Sequence, residues 1–316
     1  MSRTERIPLV AVVGPTASGK TALAVALAKE YDAEVLSFDS MQLYEGMDVA
    51  TAKPTEEEMQ GVPHHLISVI DPADTYSVAR FQKDAERIVR DIRSRGKRVI
   101  LVGGTGQYLD AFVDNLQFLD TGDTTEVRER LRRELEEQGI DPLYERLCAV
   151  DPDYAAGLHK NNTGRVLRAL EVYELTGYTM SYQIEASRAE PGCYDVCYIG
   201  LNARDRDVLY RRIDARVDAM VEHGLLDEAQ KALKHPAGST AAQAIGIKEM
   251  LPYLRGEAEL ETCKEKLKAD TRHYAKRQLT WFRRNPEVHW LYIDDVEDFE
   301  ELVRQARAVI ETEEIF

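Results

Sequence analysis

The stretch Gly14-Pro15-Thr16-Ala17-Ser18-Gly19-Lys20-Thr21 follows the apolar run Leu9–Val13 and precedes "ALAVALAKEY". It fits G-x-x-x-x-G-K-[ST], a loop whose backbone N–H groups cradle phosphates. Gly14 and Gly19 let the chain wrap an anion, and a helix beginning near Lys20 turns its positive end toward it. Lys20 adds a mobile cation, and the Thr21 hydroxyl is placed for Mg²⁺. The motif fixes the phosphates and leaves open what they are attached to.

Working outward, short apolar or β-branched runs at 7–13, 34–38, 98–103, 195–201 and 288–293 read as strands. Helical patterns lie between most of them, as at 20–30 and 77–95, where Val78, Phe81, Ala85, Ile88, Val89 and Ile92 recur at spacings of three and four. Strands alternating with helices imply an α/β fold: a parallel, P-loop NTPase-like sheet flanked by helices. Residues 113–194 break the alternation. They read as consecutive helices (124–138, 141–150, 162–176), a helical insertion lobe between core segments 1–112 and 195–316. Further helices are expected at 205–223, 225–234 and 258–283.

The chain has 316 residues, 44% hydrophobic and 31% charged, the balance of a globular protein with more than one lobe. No apolar run is long enough to span a membrane, and the N-terminal apolar segment is too short for a signal peptide. Cys148, Cys193, Cys197 and Cys263 form no C-x-x-C pair and read as idle thiols of a reducing cytoplasm. The net charge of −15 argues against nucleic acid, but its distribution does not. Residues 264–284 carry eight Lys/Arg against two acids, a local +6.

A phosphoryl-transfer enzyme needs an acid at the end of an apolar strand to hold its metal. Strand 98–103 instead runs into Gly103-Gly104-Thr105-Gly106, and Asp294-Asp295 read as a cap for the acidic helix that follows. The carboxylate that stands out is Asp39, directly after strand 34–38. Ligands of such sheets sit at the carboxyl ends of the strands, where Gly14–Thr21, Asp39 and Gly103–Thr105 all fall. Asp39 reads equally as a general base and as a helix cap. On "DRDVLYRRIDARVDAM", Arg212 and Arg216 share a helical face, suited either to phosphate or to surface pairing with Asp214 and Asp218.

Together with "DSMQLYEGMDVATAKP", "GVPHHLISVIDP", "RVILVGGTGQYL", "RVLRALEVYELTG", "RDVLYRRIDARVDAMVEHGLLDEA", "QAIGIKEM" and "YAKRQLTWFR", these motifs resemble the bacterial tRNA dimethylallyltransferase (tRNA isopentenyltransferase) family along nearly the whole chain. The resemblance implies that the loop holds the diphosphate of dimethylallyl diphosphate. The five-carbon group would pass to N6 of the adenosine 3′ of the anticodon, in tRNAs reading codons that begin with U. It implies catalytic roles for Asp39, Thr105 and Arg216, with diphosphate on Gly14, Pro15, Thr16, Ala17, Ser18, Gly19, Lys20 and Thr21, and Mg²⁺ on Thr21. It implies tRNA contacts at Asp39, Ser40, Met41, Gln42 and Thr105. Further contacts are implied at Arg128, Gly164, Arg165, Val166, Leu167 and Arg168 in the lobe, which would bind the anticodon stem-loop, and at Lys276, Arg277 and Arg283. A monomeric cytoplasmic enzyme is expected.

Phe38, Ala50, Thr163-Gly164 and Ile247 depart from the family pattern. His64-His65 look like a metal pair, but adjacent side chains on a strand diverge. The nearest competing reading is an adenylate isopentenyltransferase acting on free AMP, ADP or ATP. It would need neither the lobe nor the basic helix. A small-metabolite kinase and a nucleotide-gated RNA-binding module compete more distantly.

Overall fold

The computed structural model describes residues 6–233 and 243–316. Its chain divides into two compact units, Met1–Val113 with Cys193–Phe316, and Asp114–Gly192.

In the first unit, β1 (Ile7–Val13) runs into the phosphate loop and α1 (Lys20–Glu30). Then follow β2 (Ala33–Ser37), the short α2 (Glu56–Met59), β3 (His64–His65), α3 (Val78–Ser94), β4 (Arg98–Val102) and α4 (Gly106–Val113). The second unit holds α5 (Thr125–Gln138), α6 (Asp141–Val150), α7 (Pro152–Ala156), α8 (Thr163–Thr176) and α9 (Met180–Ala186), with no strand among them. The chain returns through β5 (Tyr194–Asn202), α10 (Arg206–Glu222), α11 (Leu225–Ala232), α12 (Leu251–Leu254), α13 (Leu260–Phe282), β6 (Val288–Tyr292) and α14 (Phe299–Thr312). The part of the expected helix 225–234 at residue 234 lies outside the described residues.

The six strands pair in the order β3-β2-β4-β1-β5-β6, all parallel. A parallel sheet is covered on both faces, so its central strands are apolar throughout rather than alternating. β1 obeys this: Leu9–Val13 are all fully buried. One face packs on α3, α4 and α11, the other on α1 and α14. The strand order leaves the loops after β1, β2 and β4 side by side at one end of the sheet.

The second unit has its own core, in which Leu131, Leu143, Leu147, Val166 and Leu170 meet. One expectation needs correction, and one strand went unread. Asp294 does not cap its own helix; it accepts the N–H groups of Arg204 (2.9 Å) and Asp205 (2.8 Å) ahead of α10, while Asp298 caps α14. The two-residue β3 escaped pattern reading because it is too short to show a period.

Candidate active site

The phosphate loop is built by close approach. Gly14 sits at φ +137°, and a Cβ there would lie 2.4 Å from the Leu201 carbonyl oxygen of β5. No side chain fits, so the loop lies flat against the next strand. Gly19, at φ +93°, opens α1, whose first turn carries no acid and no side-chain cap. Its N–H groups therefore remain open to an anion. The Ser18 hydroxyl and the Lys20 ammonium both donate to the Pro15 carbonyl, at 2.8 and 2.6 Å, and hold the loop closed around Lys20.

Two helices far along the chain brace this loop. Arg212 and Arg216 of α10 do share a face, and it points inward: Arg212 Nε donates to the Ala17 carbonyl (2.9 Å), and Arg216 Nη1 to Thr16 Oγ1 (3.3 Å). Surface pairing of these arginines fails, because Asp214 takes Arg272 and Asp218 takes Lys264 and Lys268. From α13, the buried Gln278 accepts the Thr16 N–H (2.8 Å) and donates to the Gly104 carbonyl (3.1 Å).

Asp39 begins a turn rather than a helix: its Oδ1 accepts the Met41 N–H at 2.9 Å, and no helix follows before Glu56. The cap and base readings are thus not exclusive, since one oxygen holds the turn while the carboxylate also lines the cavity. Ser40 N–H donates to Thr105 Oγ1 (3.1 Å), which in turn donates to Ser40 Oγ (3.2 Å). The turns after β2 and β4 are thereby tied together beside Asp39. Gly103 has no Cβ because Phe38 occupies its place, at 2.7 Å. The departure at Phe38 is a packing pair with Gly103.

The charges here are strained. Burial raises the Asp39 carboxyl above its ordinary value, against the pull of Met41 N–H and Lys20. Burial, with Arg216 adding to it, lowers the Lys20 ammonium to about 7. Burial also lowers Arg216. None of the three has an ion-pair partner among the described residues.

Cradle, carboxylate and the Gly103 turn open into one cavity of about 370 Å³. Its lining combines Thr16, Lys20, Thr21, Asp39 and Arg216 with the apolar Ile213, Val217, Met220 and Leu267, and Lys248, Thr271 and Arg277 line it as well. The loop after Asp39 closes one side. Glu228 of α11 holds it by accepting three backbone N–H groups, those of Asp48 (2.7 Å), Val49 (2.8 Å) and Ala50 (2.8 Å). Lys53 ties it to Tyr44 O, Asp48 Oδ1 and Ser68 Oγ at 2.6, 2.6 and 2.8 Å. Sequence reading missed Gln278, Lys53 and Glu228. All three lie inside motifs that carry the resemblance, but no local signal gives their roles; the partners of Glu228, for one, are 178 to 180 residues away.

Residues 42–285 match the family model described as IPP transferase. A tRNA dimethylallyltransferase of Thermoanaerobacter sp. (strain X514) is 47% identical over 300 residues, covering 94% of this chain and 95% of that one. The chain belongs to the IPP transferase family. Among solved structures, the full-length tRNA isopentenylpyrophosphate transferase of Bacillus halodurans is similar with TM-score 0.73 and 44% identity, over 97% of this chain and 96% of that one. A eukaryotic dimethylallyltransferase acting on tRNA is similar with TM-score 0.78 at 30% identity, over 96% of this chain and 78% of that one. The chain is accordingly a prenyltransferase with a P-loop NTPase-like fold, and the kinase reading is set aside.

The remaining family positions sort by environment. Ser40 and Met41 line the cavity. The Gln42 amide is already engaged, donating to Thr51 O (3.3 Å) and Ala52 O (3.2 Å) and accepting from Ser37 Oγ (3.2 Å). In the second unit, Arg128 donates to Glu171 at 2.9 and 3.0 Å, and Arg168 joins the same carboxylate. Val166 is fully buried in that unit's core, and the half-buried Leu167 packs against it. Gly164 has nothing within 4 Å of a Cβ, so its backbone is unobstructed, and Arg165 lines a shallow pocket beside Tyr154. On α13 the +6 balance divides. Lys264, Lys266, Lys268 and Arg272 are ion-paired. Lys276, Arg277 and Arg283 are exposed and have no acidic partner among the described residues. Ala50 lies 3.0 Å from where a Gly246 Cβ would be, and Ile247 is fully buried; these departures are also packing positions.

Four free cysteines are present, and no group of three or more His, Cys, Asp or Glu is arranged for a metal among the described residues. His64 Nδ1 meets Val62 O (2.8 Å), while His65 Nε2 meets Glu34 (2.7 Å), which Arg95 also binds. Among the described residues no helix is long and apolar enough to cross a membrane.

Proposed function

We propose that the chain transfers a dimethylallyl group from dimethylallyl diphosphate to N6 of the adenosine 3′ of the anticodon, in tRNAs reading codons that begin with U. Diphosphate is released. The observation that carries this reading is the shared cavity, whose lining brings together a phosphate cradle with two cations, apolar side chains and the half-buried Asp39 carboxylate.

The cradle would hold the diphosphate through the open N–H groups of α1, with Lys20 and Arg216 neutralising charge that grows on the leaving oxygen. The apolar side chains suit a five-carbon chain and give water little to bond to. The N6 lone pair attacks the allylic carbon as the carbon–oxygen bond breaks, and the N6 proton passes to Asp39. A carboxylate whose pKa burial has raised is a better acceptor for that proton. Thr105 would orient the amine or Asp39. Adenine N6 is a poor nucleophile, so placement supplies much of the acceleration.

Thr21 lines the cavity beside Lys20, and no acid cluster accompanies it among the described residues. That donor set fits Mg²⁺ held by the Thr21 hydroxyl together with diphosphate oxygens and water, the usual way this ion is bound beside phosphates. When bound, the ion would add positive charge at the leaving group.

The adenosine must leave its stacked loop, at a cost of a few kcal/mol. Ser40 and Met41 would meet it, and Lys276, Arg277 and Arg283 would contact backbone phosphates. Arg128 and the 164–168 segment would contact the anticodon stem-loop. We place the enzyme in the cytoplasm as a monomer. The test is incubation with labelled dimethylallyl diphosphate and either unmodified tRNA or AMP. Label in tRNA alone is expected. Label in AMP would support the adenylate enzyme, and label in neither would sink the proposal.

A further inference from the structure

Gln278 does not touch the cavity's charges, yet it joins the two parts of the site that must act together. Its Oε1 accepts the N–H of Thr16 in the cradle (2.8 Å), and its Nε2 donates to the carbonyl of Gly104, next to Thr105 (3.1 Å). The side chain is 5% exposed, so neither bond competes with bulk water. The fit is tight from the other side as well: a Cβ on Gly104 would lie 1.9 Å from Gln278 Nε2. Tyr274, one turn earlier on α13, turns its phenol toward Thr105 and Gln278. Trp281, nearly a turn later, donates to Asp110 of α4 (3.0 Å) and fills the space beside Gly106. Three successive contacts thus fix the register of α13 against the turn that carries Thr105.

We infer that Gln278 is a positioning residue that sets the separation between the leaving-group cradle and the acceptor side of the cavity. The inference rests on the transfer reaction proposed above. A single rigid amide spans the two sides, while no other side chain among the described residues hydrogen-bonds both the phosphate loop and the 103–105 turn. If that bracket loosens, the departing allylic carbon and the attacking nitrogen lose their alignment. Water then takes the carbon in place of the amine: its oxygen bonds to the allylic carbon, the carbon–oxygen bond to diphosphate breaks, and the products are dimethylallyl alcohol, diphosphate and a proton.

The test uses the full chain with labelled dimethylallyl diphosphate and unmodified tRNA, and measures labelled tRNA and labelled dimethylallyl alcohol in the same reaction. Gln278→Met keeps the volume and removes both hydrogen bonds. Gln278→Glu keeps an acceptor for Thr16 but lacks the amide donor. Gly104→Ala pushes the amide away from the opposite side. Misplacement by about 1 Å costs on the order of 100-fold in rate. We expect transfer to fall by about 10- to 100-fold and the ratio of alcohol to modified tRNA to rise at least about tenfold. Diphosphate should bind no more weakly than to wild type. Should Gln278→Met fail to fold, Gln278→Glu and Gly104→Ala decide by the same ratio. An unchanged ratio in the folded variants, whether or not the rate falls, overturns the inference. Absence of transfer by wild-type protein would instead overturn the reaction itself.

Discussion

Charge shielded from solvent is handled in opposite ways in the two units. In the 114–192 unit, Glu171 is almost wholly buried but is met by both Arg128 and Arg168. Burial pushes its carboxyl up, and hydrogen bonds from Arg128 with the charges of both arginines outweigh this, so the net shift is downward. In the first unit, Lys20, Asp39 and Arg216 are each shifted toward neutrality by burial, with no ion pair among the described residues to offset it. The paired cluster favours the folded state; the unpaired charges oppose it and are held in place by the loop, α10 and α13. Charge held without an ion-pair partner is what a site needs if its partners are a polyanionic leaving group and a reacting amine.

The largest expected effect comes from removing an unpaired charge. Lys20→Met should lower transfer by about 10²- to 10³-fold, as loss of one group stabilising developing charge does. The same change removes a half-buried ammonium but also its bond to the Pro15 carbonyl, so the fold should keep its stability to within about 1 kcal/mol. A thermal unfolding curve beside a single-turnover rate checks both halves; a variant that loses activity by unfolding breaks the contrast.

The paired cluster should respond the other way. Glu171→Ala should destabilise the 114–192 unit by about 2 kcal/mol, the scale of hydrogen bonds to charged groups. Hydrogen exchange across those residues in the full chain reads this directly. It also bears on Arg128 and Arg168: if exchange stays at the wild-type level, the two arginines are available to RNA rather than committed to Glu171.

A third comparison lies within α13. Replacing Lys276, Arg277 or Arg283 by Ala should weaken tRNA binding across sequences. Each lost phosphate contact should flatten the slope of log K against log salt by about 0.7 to 0.9. Replacing the ion-paired Lys266 should leave the slope unchanged.

The smallest effect is a proton. Lys20 sits near 7 in the ligand-free cradle, so at pH 8 it is mostly neutral. A bound diphosphate favours its ammonium and raises its pKa, so binding should take up part of a proton at pH 8 and almost none at pH 6. Calorimetry in buffers of differing ionisation enthalpy measures this; proton release at pH 8 would contradict it.

The sheet was legible because β1, β2, β4 and β5 are short apolar runs with helical periods between most of them, and the cradle because its glycines carry a geometric demand. Asp39 could be placed at a strand end, but not chosen as base over cap, because the turn it caps and the cavity it faces depend on Thr105 and Lys20. Arg212 and Arg216 were visible as a face, while its direction depended on Asp214 and Asp218 finding partners on α13. Glu228 and Gln278 sit inside motifs that carry the family resemblance, but their roles were invisible for the same reason: each bonds backbone groups far away in sequence, and no local pattern records that.

The central claim is that Asp39 is the unpaired carboxylate that takes the N6 proton. Single-turnover transfer of labelled dimethylallyl to an unmodified anticodon stem-loop, by wild-type protein and Asp39→Asn, tests it most directly. The amide can still accept the Met41 N–H and so preserve the turn, but it is a far weaker base. The account predicts a rate lower by about 10²- to 10⁴-fold with diphosphate affinity retained. Transfer by Asp39→Asn at the wild-type rate would contradict it.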